Sequence, residues 1–145
     1  MSDPLSKRRL KTWIRLLGVT RFAESRLRDF LRVKHKTTLP RFDVLAALYR
    51  RRDGVMMSEL SRLLLVSNGN STTVVDGLEK DGLVRRTASE TDRRTVIVAL
   101  TPKGLSWFEG LAAEHEAQVS GLLDNLSETD LDQLTDILKR MGGAK

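Results

Sequence analysis

Between Ser58 and Leu100 the apolar residues change their period once, and that change admits very few folds. Glu59-Leu60-Ser61-Arg62-Leu63-Leu64-Leu65 predicts a short helix. A second helix follows with almost no linker, opening at Ser67 as N-cap and carrying Val74, Val75 and Leu78 on one face as far as Asp81-Gly82. From there the period is two. Leu83 to Arg86 and Thr95 to Leu100 are runs rich in β-branched residues on either side of a polar tip, Thr87 to Arg94, which predicts a β-hairpin with a long loop.

Helical patterns bracket this segment. From Lys7 to about Lys36 there is no Pro, and Leu10, Trp13, Leu17, Thr20, Glu24, Leu27 and Leu31 alternate at three- and four-residue steps. Leu16, Val19, Phe22, Ala23 and Phe30 widen that stripe beyond what one small domain can cover, which predicts a partner chain. Pro40, placed for a first turn, opens a shorter helix with Phe42, Leu45, Leu48 and Tyr49, stopped at Asp53-Gly54. Thr101-Pro102 restarts the helical code, with Leu105, Phe108, Ala112, His115, Val119 and Leu122 on one seam. Ser127 to Asp130 resembles a capping box and launches a last helix through Leu131, Leu134, Leu138 and Met141. The expected fold is mainly α with a small β-hairpin wing. A winged helix-turn-helix core over 39–101 is flanked by a helical dimerisation region, 7–36 and 102–141.

Charge narrows the partner. The net charge is +6, but residues 1–50 hold 13 Lys+Arg against 4 Asp+Glu, while residues 101–145 hold 4 against 8. Basicity favours a polyanion, nucleic acid first. The 145 residues contain no cysteine, which excludes disulfides, thiolate metal sites and thiol redox sensing and fits a reducing compartment. No apolar stretch approaches a bilayer span and no signal core precedes the first helix, so the chain is expected to be cytoplasmic, with no membrane partner. His35 and His115 are far apart in sequence and lack metal-ligand spacing, and no phosphate-binding loop, metalloprotease or nucleophile-elbow motif occurs. Neither an enzyme nor a bound metal or other cofactor is expected.

In a helix-turn-helix the second helix enters the major groove, where base edges carry a distinguishable donor and acceptor pattern. Its start suits the task, because Ser67, Asn68, Asn70, Ser71, Thr72 and Thr73 are short hydrogen-bonding side chains, more than one cap requires. The competing reading is a winged helix that docks on another protein without binding DNA. A polar helix and a basic wing argue against it, since docking surfaces favour aromatics.

The run Leu78-Glu79-Lys80-Asp81-Gly82-Leu83-Val84-Arg85-Arg86, then Asp92-Arg93-Arg94 and Leu100-Thr101-Pro102-Lys103-Gly104, resembles the MarR family of bacterial regulators. The resemblance implies a homodimer that gives one winged helix-turn-helix to each half-site of a pseudo-palindromic double-stranded operator, acting as a repressor. It also implies that Arg94 enters a narrow, A·T-rich minor groove. Asp92 is expected to orient its guanidinium through a bidentate pair. Arg93 is assigned to phosphate or to packing on the wing and Lys80 to phosphate; Arg85 and Arg86 either touch phosphates or solvate the strand. Thr73 and Gly77 stand where the family often has arginine, which leaves compensation to basic residues elsewhere.

The family places its effector between the dimerisation helices and the winged core. Here that implies a pocket near Trp13, Phe22, Arg26, Phe42, Leu45, Phe108 and His115. The stretches Leu39 to Leu45, Ser67 to Asn70 and Ala112 to Glu116 resemble a subgroup tied to aromatic-acid catabolism. The effector expected on that basis is a small anionic aromatic or its CoA thioester, with Arg21, Arg26, Arg28 and Arg41 as guanidinium partners.

Overall fold

A computed structural model describes residues 3–64, 70–92 and 94–142. The first helix, α1 (Pro4–His35), starts three residues earlier than its apolar seam suggests, because Asp3 caps it by accepting from the Ser6 N–H at 2.8 Å and Pro4 fills the first position. It ends where Lys36 enters the left-handed region at φ 54° and turns its N–H back to the Leu31 carbonyl. Thr38 caps α2 (Leu39–Arg50), whose Leu39, Phe42, Val44, Leu45, Ala47 and Leu48 are all buried. This short helix is the centre of the core, and α1, α3 (Met57–Leu63), α4 (Ser71–Lys80) and α5 (Pro102–Leu122) all pack on it.

The hairpin forms as expected, β2 (Val84–Ala88) pairing antiparallel with β3 (Val96–Leu100) from Val84↔Leu100 to Ala88↔Val96. A two-residue strand that the sequence did not announce, β1 (Val55–Met56), adds to the other edge of β3, giving the order β1-β3-β2. It leads straight into α3, which therefore runs from Met57 rather than from Glu59.

The corner between α4 and β2 is fastened to the first turn of α5 at three points. Thr101 donates its hydroxyl to the Gly82 carbonyl at 2.6 Å and its N–H to the Leu83 carbonyl at 3.1 Å. The Lys103 ammonium donates to the Asp81 carbonyl at 2.9 Å. Gly104 lies so close that a Cβ there would stand 1.9 Å from the Leu83 oxygen, so no other residue fits.

The ends of the chain are packed less completely. The last helix, α6 (Glu128–Arg140), opens with the Ser127–Asp130 capping box yet buries no residue. On α1, Leu10, Trp13 and Ile14 are more than half exposed, and Leu134, Ile137, Leu138 and Met141 at the other end are exposed too. A cleft of about 750 Å³ lies between Leu5, Trp13 and Leu16 of α1 and Leu134, Ile137, Leu138 and Met141. Among the described residues, no helix is long and apolar enough to cross a membrane.

Candidate nucleic-acid interface

The second helix of the helix-turn-helix is α4, and its cap is Asn70, not Ser67: the Asn70 carboxamide oxygen accepts from the Thr72 and Thr73 N–H groups at 3.0 and 3.3 Å. Val75 and Leu78 fix the inner face at zero exposure. Thr72, Thr73 and Lys80 are exposed and Ser71 is half-buried, so the polar first turn faces outward as the pattern required. Ser67, Asn68 and Arg93 lie outside the described residues.

Arg86 has a different task from solvating its strand. Its N–H donates to Glu79 Oε2 at 2.9 Å, one guanidinium nitrogen lies 3.5 Å from Glu79 Oε1, and the other donates to the Thr72 carbonyl at 3.2 Å and pairs with Asp76. One side chain on β2 thus spans the first and last turns of α4 and binds the wing to the recognition helix. Charge-assisted bonds of this kind are stronger and more directional than neutral ones. Arg85, its neighbour, is exposed.

At the wing tip the expected Asp92–Arg94 guanidinium pair does not form. Asp92 Oδ1 accepts from the Arg94 backbone N–H at 3.0 Å, Oδ2 from the Thr95 hydroxyl at 3.2 Å, and the Asp92 carbonyl from the Thr95 N–H at 3.0 Å. A carboxylate two residues before an N–H closes an Asx turn more easily than it reaches a long, exposed guanidinium. Asp92 therefore fixes where Arg94 starts from, and among the described residues no carboxylate pairs with the Arg94 guanidinium.

The second site is a cavity of about 390 Å³ between α1, α2, α3 and α5. Of the expected effector residues, Phe42 and His115 line it, stacked at 4.1 Å between centroids. Leu45 and Phe108 are buried core instead, Phe108 packed against Phe42 and Tyr49. Trp13 faces the cleft beside α6, and Phe22 with Arg26 faces a different cleft against the end of α5. None of Arg21, Arg26, Arg28 and Arg41 lines the cavity; Thr20, Glu24, Asp43 and Arg50 do.

Asp43 is the residue sequence reasoning missed, although it left a signal: an acid set between Phe42 and Val44 in a helix otherwise buried along that stretch. Its Oδ2 is buried with no hydrogen-bond partner among the described residues. Burial first, then the nearby Glu24 carboxylate, push its pKa up to about 6, against a smaller opposing pull from Arg50. Burial also pushes the His115 imidazole down, so it is neutral at pH 7. Among the described residues no cluster of metal-ligating side chains forms.

A family model described as MarR family matches residues 37–96, the segment that holds α2, the helix-turn-helix and most of the wing. The HTH-type transcriptional regulator MhqR of Bacillus subtilis is 36% identical over 109 residues, 75% of this chain and 74% of that protein. The chain belongs to the MarR family. Members of this family are transcriptional regulators and not enzymes. A MarR regulator from Silicibacter pomeroyi superposes with a TM-score of 0.83 at 26% identity, covering 97% of this chain and 96% of that one. Sco3205 of Streptomyces coelicolor, a MarR regulator solved in complex with DNA, shares the fold at a TM-score of 0.83 and 22% identity, covering 97% and 89%.

Against the usual MarR recognition helix, the glycine at 77 now has a physical reason. A Cβ there would stand 2.6 Å from Arg41 Nη2, and the same guanidinium pairs with Asp81 at 2.8 Å. The place vacated on α4 is crossed by an arginine from α2. Thr73 has no such counterpart; its side chain is exposed.

Proposed function

We propose that this MarR regulator is a homodimeric repressor that holds operator DNA with α4 and the wing and releases it when a small apolar molecule enters the cavity between α1, α2 and α5. The observation that carries the DNA reading is the Arg86 clamp. It makes the outward-facing first turn of α4 and the Arg94-bearing tip one rigid unit, so that both grooves are met in a fixed register. Ser67, Asn68 and Arg93 are assigned to the same surface on the sequence pattern alone. Arg85 and Lys80 serve the phosphates.

Dimerisation is supported by the large apolar residues that α1 and α6 leave exposed, among them Leu10, Trp13, Ile14 and Ile137, and by Met141 at the α6 C-cap. The start of α1 carries Lys7, Arg8, Arg9, Lys11 and Arg15, and α6 carries Glu128, Asp130, Asp132 and Asp136, so crossed arms would meet with opposite charge. Light scattering at micromolar concentration is expected to return twice the 16.3 kDa chain mass; a clean monomer would remove the paired half-site. An effector in the cavity is supported by its apolar walls and its size, which falls within the about 300–1,000 Å³ of small-molecule sites. An anionic head group or a CoA thioester finds less support, since the guanidinium groups assigned to it lie off the cavity, which two carboxylates line against the one guanidinium of Arg50 among the described residues.

The test is anisotropy with fluorescent DNA from upstream of the protein's own coding region. Arg94→Ala is expected to weaken binding about tenfold and to flatten the A·T preference beneath the wing, as loss of a base-reading contact does. Lys80→Ala is expected to weaken specific and random DNA alike and to lower the salt slope by about one. Unchanged affinity and base preference in Arg94→Ala would remove the tip from the minor groove.

A further inference from the structure

The cavity has an unusual polar inventory for a site expected to take an acid. Its apolar walls come from α1, α2 and α3, and α5 adds His115, which stacks on Phe42 as the aromatic surface. Glu24 on α1 is already held by Arg28 at 2.7 Å, one turn further along that helix. Arg50 is exposed and lies two turns along α2 from Asp43, at the solvent side. His115 on α5 is uncharged at pH 7 and offers one donor and one acceptor. The group left over is Asp43, which lines the cavity; among the described residues its Oδ2 has no hydrogen-bond partner and is closed to solvent, so a ligand donor meets it once the carboxyl turns about its last side-chain bond. A buried polar atom without a partner costs free energy, and a ligand donor at that atom removes the cost.

Resting on the reading that this cavity is the effector site, we propose that it selects a planar aromatic ligand presenting an uncharged hydrogen-bond donor to Asp43, and rejects the matching carboxylate. A ring stacked beside Phe42 and His115 replaces water on apolar walls, and its O–H or N–H meets the Asp43 acceptor. A carboxylate in the same place would bring a third negative group beside Asp43 and Glu24, with Arg50 at the open side of the cavity as the one lining cation among the described residues and Glu24 already paired with Arg28. Ionised Asp43 accepts only. Protonated below pH 6, it becomes a donor, and the discrimination against a carboxylate narrows.

Three probes of one ring size separate the terms: 2-naphthol carries a donor, 2-methoxynaphthalene only an acceptor, and 2-naphthoate a negative charge. Calorimetric titration into the full chain at pH 8 is expected to give at least tenfold tighter binding for naphthol than for either of the others. At pH 5.5 the gap to naphthoate is expected to shrink to a few-fold. Asp43→Asn, which keeps size and offers both a donor and an acceptor, is expected to bring the three within about threefold at pH 8, with thermal melting confirming that the variant is folded. Equal or tighter naphthoate binding at pH 8, absence of naphthol binding at 1 mM, or an unchanged naphthol preference in Asp43→Asn would each overturn the assignment. The two readings fail separately. DNA release by naphthoate with no naphthol preference leaves the regulator and removes the donor rule, whereas ranked binding without DNA release leaves the donor rule and removes the effector role.

Discussion

The recognition unit and the cavity treat their carboxylates in opposite ways. On α4, Asp76 and Glu79 are both met by Arg86, and Asp81 is met by Arg41. All three acids lie at the surface, where an ion pair needs little desolvation. Asp43 is the reverse: more deeply placed, beside another acid, and, among the described residues, without a hydrogen-bond partner for Oδ2. Paired surface charges hold two pieces of the fold in register and add modestly to stability. An unpaired acid in an apolar wall subtracts from stability and is tolerated where something else gains by it.

The largest effect that tests this contrast belongs to Arg86→Met. Losing the guanidinium leaves Asp76 and Glu79 repelling each other and takes one of its two donors from the Thr72 carbonyl, while the apolar stem is kept. Unfolding by urea is expected to show a loss of about 2–3 kcal/mol, discounted for partial exposure. DNA affinity is expected to fall more than in Arg94→Ala, because the whole tip loses its register. Retained affinity would mean that wing and helix are positioned independently.

Asp43→Asn should act with the opposite sign. A carboxyl with a folded pKa of about 6 against an ordinary 3.8 binds its proton more tightly in the folded state, so stability falls as pH rises through this window. The penalty is small below about pH 4 and nearly complete above about pH 6; at about 1.36 kcal/mol per pH unit it would be about 3 kcal/mol, and on the order of 2 kcal/mol once discounted for the partly exposed side chain. The variant is expected to be more stable than the parent at pH 7.5 by about 1–2 kcal/mol and indistinguishable from it at pH 4. A variant destabilised at pH 7.5 would show that Asp43 is held by the fold after all.

Asp92→Ala removes three exposed bonds' worth of turn geometry only in part, since the Asp92 carbonyl stays. Stability is expected to drop by about 0.5–1 kcal/mol, and DNA binding to weaken less than in Arg94→Ala. Smallest of all is Gly77→Ala. The added methyl displaces the far end of Arg41, loosening a partly exposed pair worth about 0.2–1 kcal/mol, while alanine gains about 0.5–1 kcal/mol of helix propensity. A melting temperature within about two degrees of the parent is expected, and a large loss would make the Arg41 crossing a structural necessity.

Much of this was legible because helix ends and strand periods are local. Thr101-Pro102, the Ser127 box and the hairpin stand where their residues put them, except that β2 runs on through Thr87 and Ala88, which the polar-tip pattern assigns to the loop. The start of α4 was not, because Ser67 and Asn70 are equally good caps and nothing near them ranks one above the other. Nor was β1, since two residues carry no period and Val55-Met56 is extended only because the far edge of β3 offers it partners. The roles of Asp92 and Arg86 were hidden for a related reason. Which acceptor a side chain reaches depends on groups brought near by the turn or by α4, 14 residues back at Thr72. Asp43 could have been marked from its neighbours, but its lack of a partner is a fact of packing.

The fastening of α5 to the α4–β2 corner has a mechanical consequence. With Thr101, Lys103 and Gly104 locked to Gly82, Leu83 and Asp81, the helix and the wing root form the two arms of a bell crank with its pivot near Thr101. His115 lies 14 residues out on one arm, about 21 Å at helical rise, and the ends of the paired strands lie about 17 Å out on the other. If α5 and the wing root turn as one rigid piece about that pivot, a displacement of His115 by about 1 Å would swing the wing by about 0.8 Å, a sizeable part of the tolerance of a hydrogen bond.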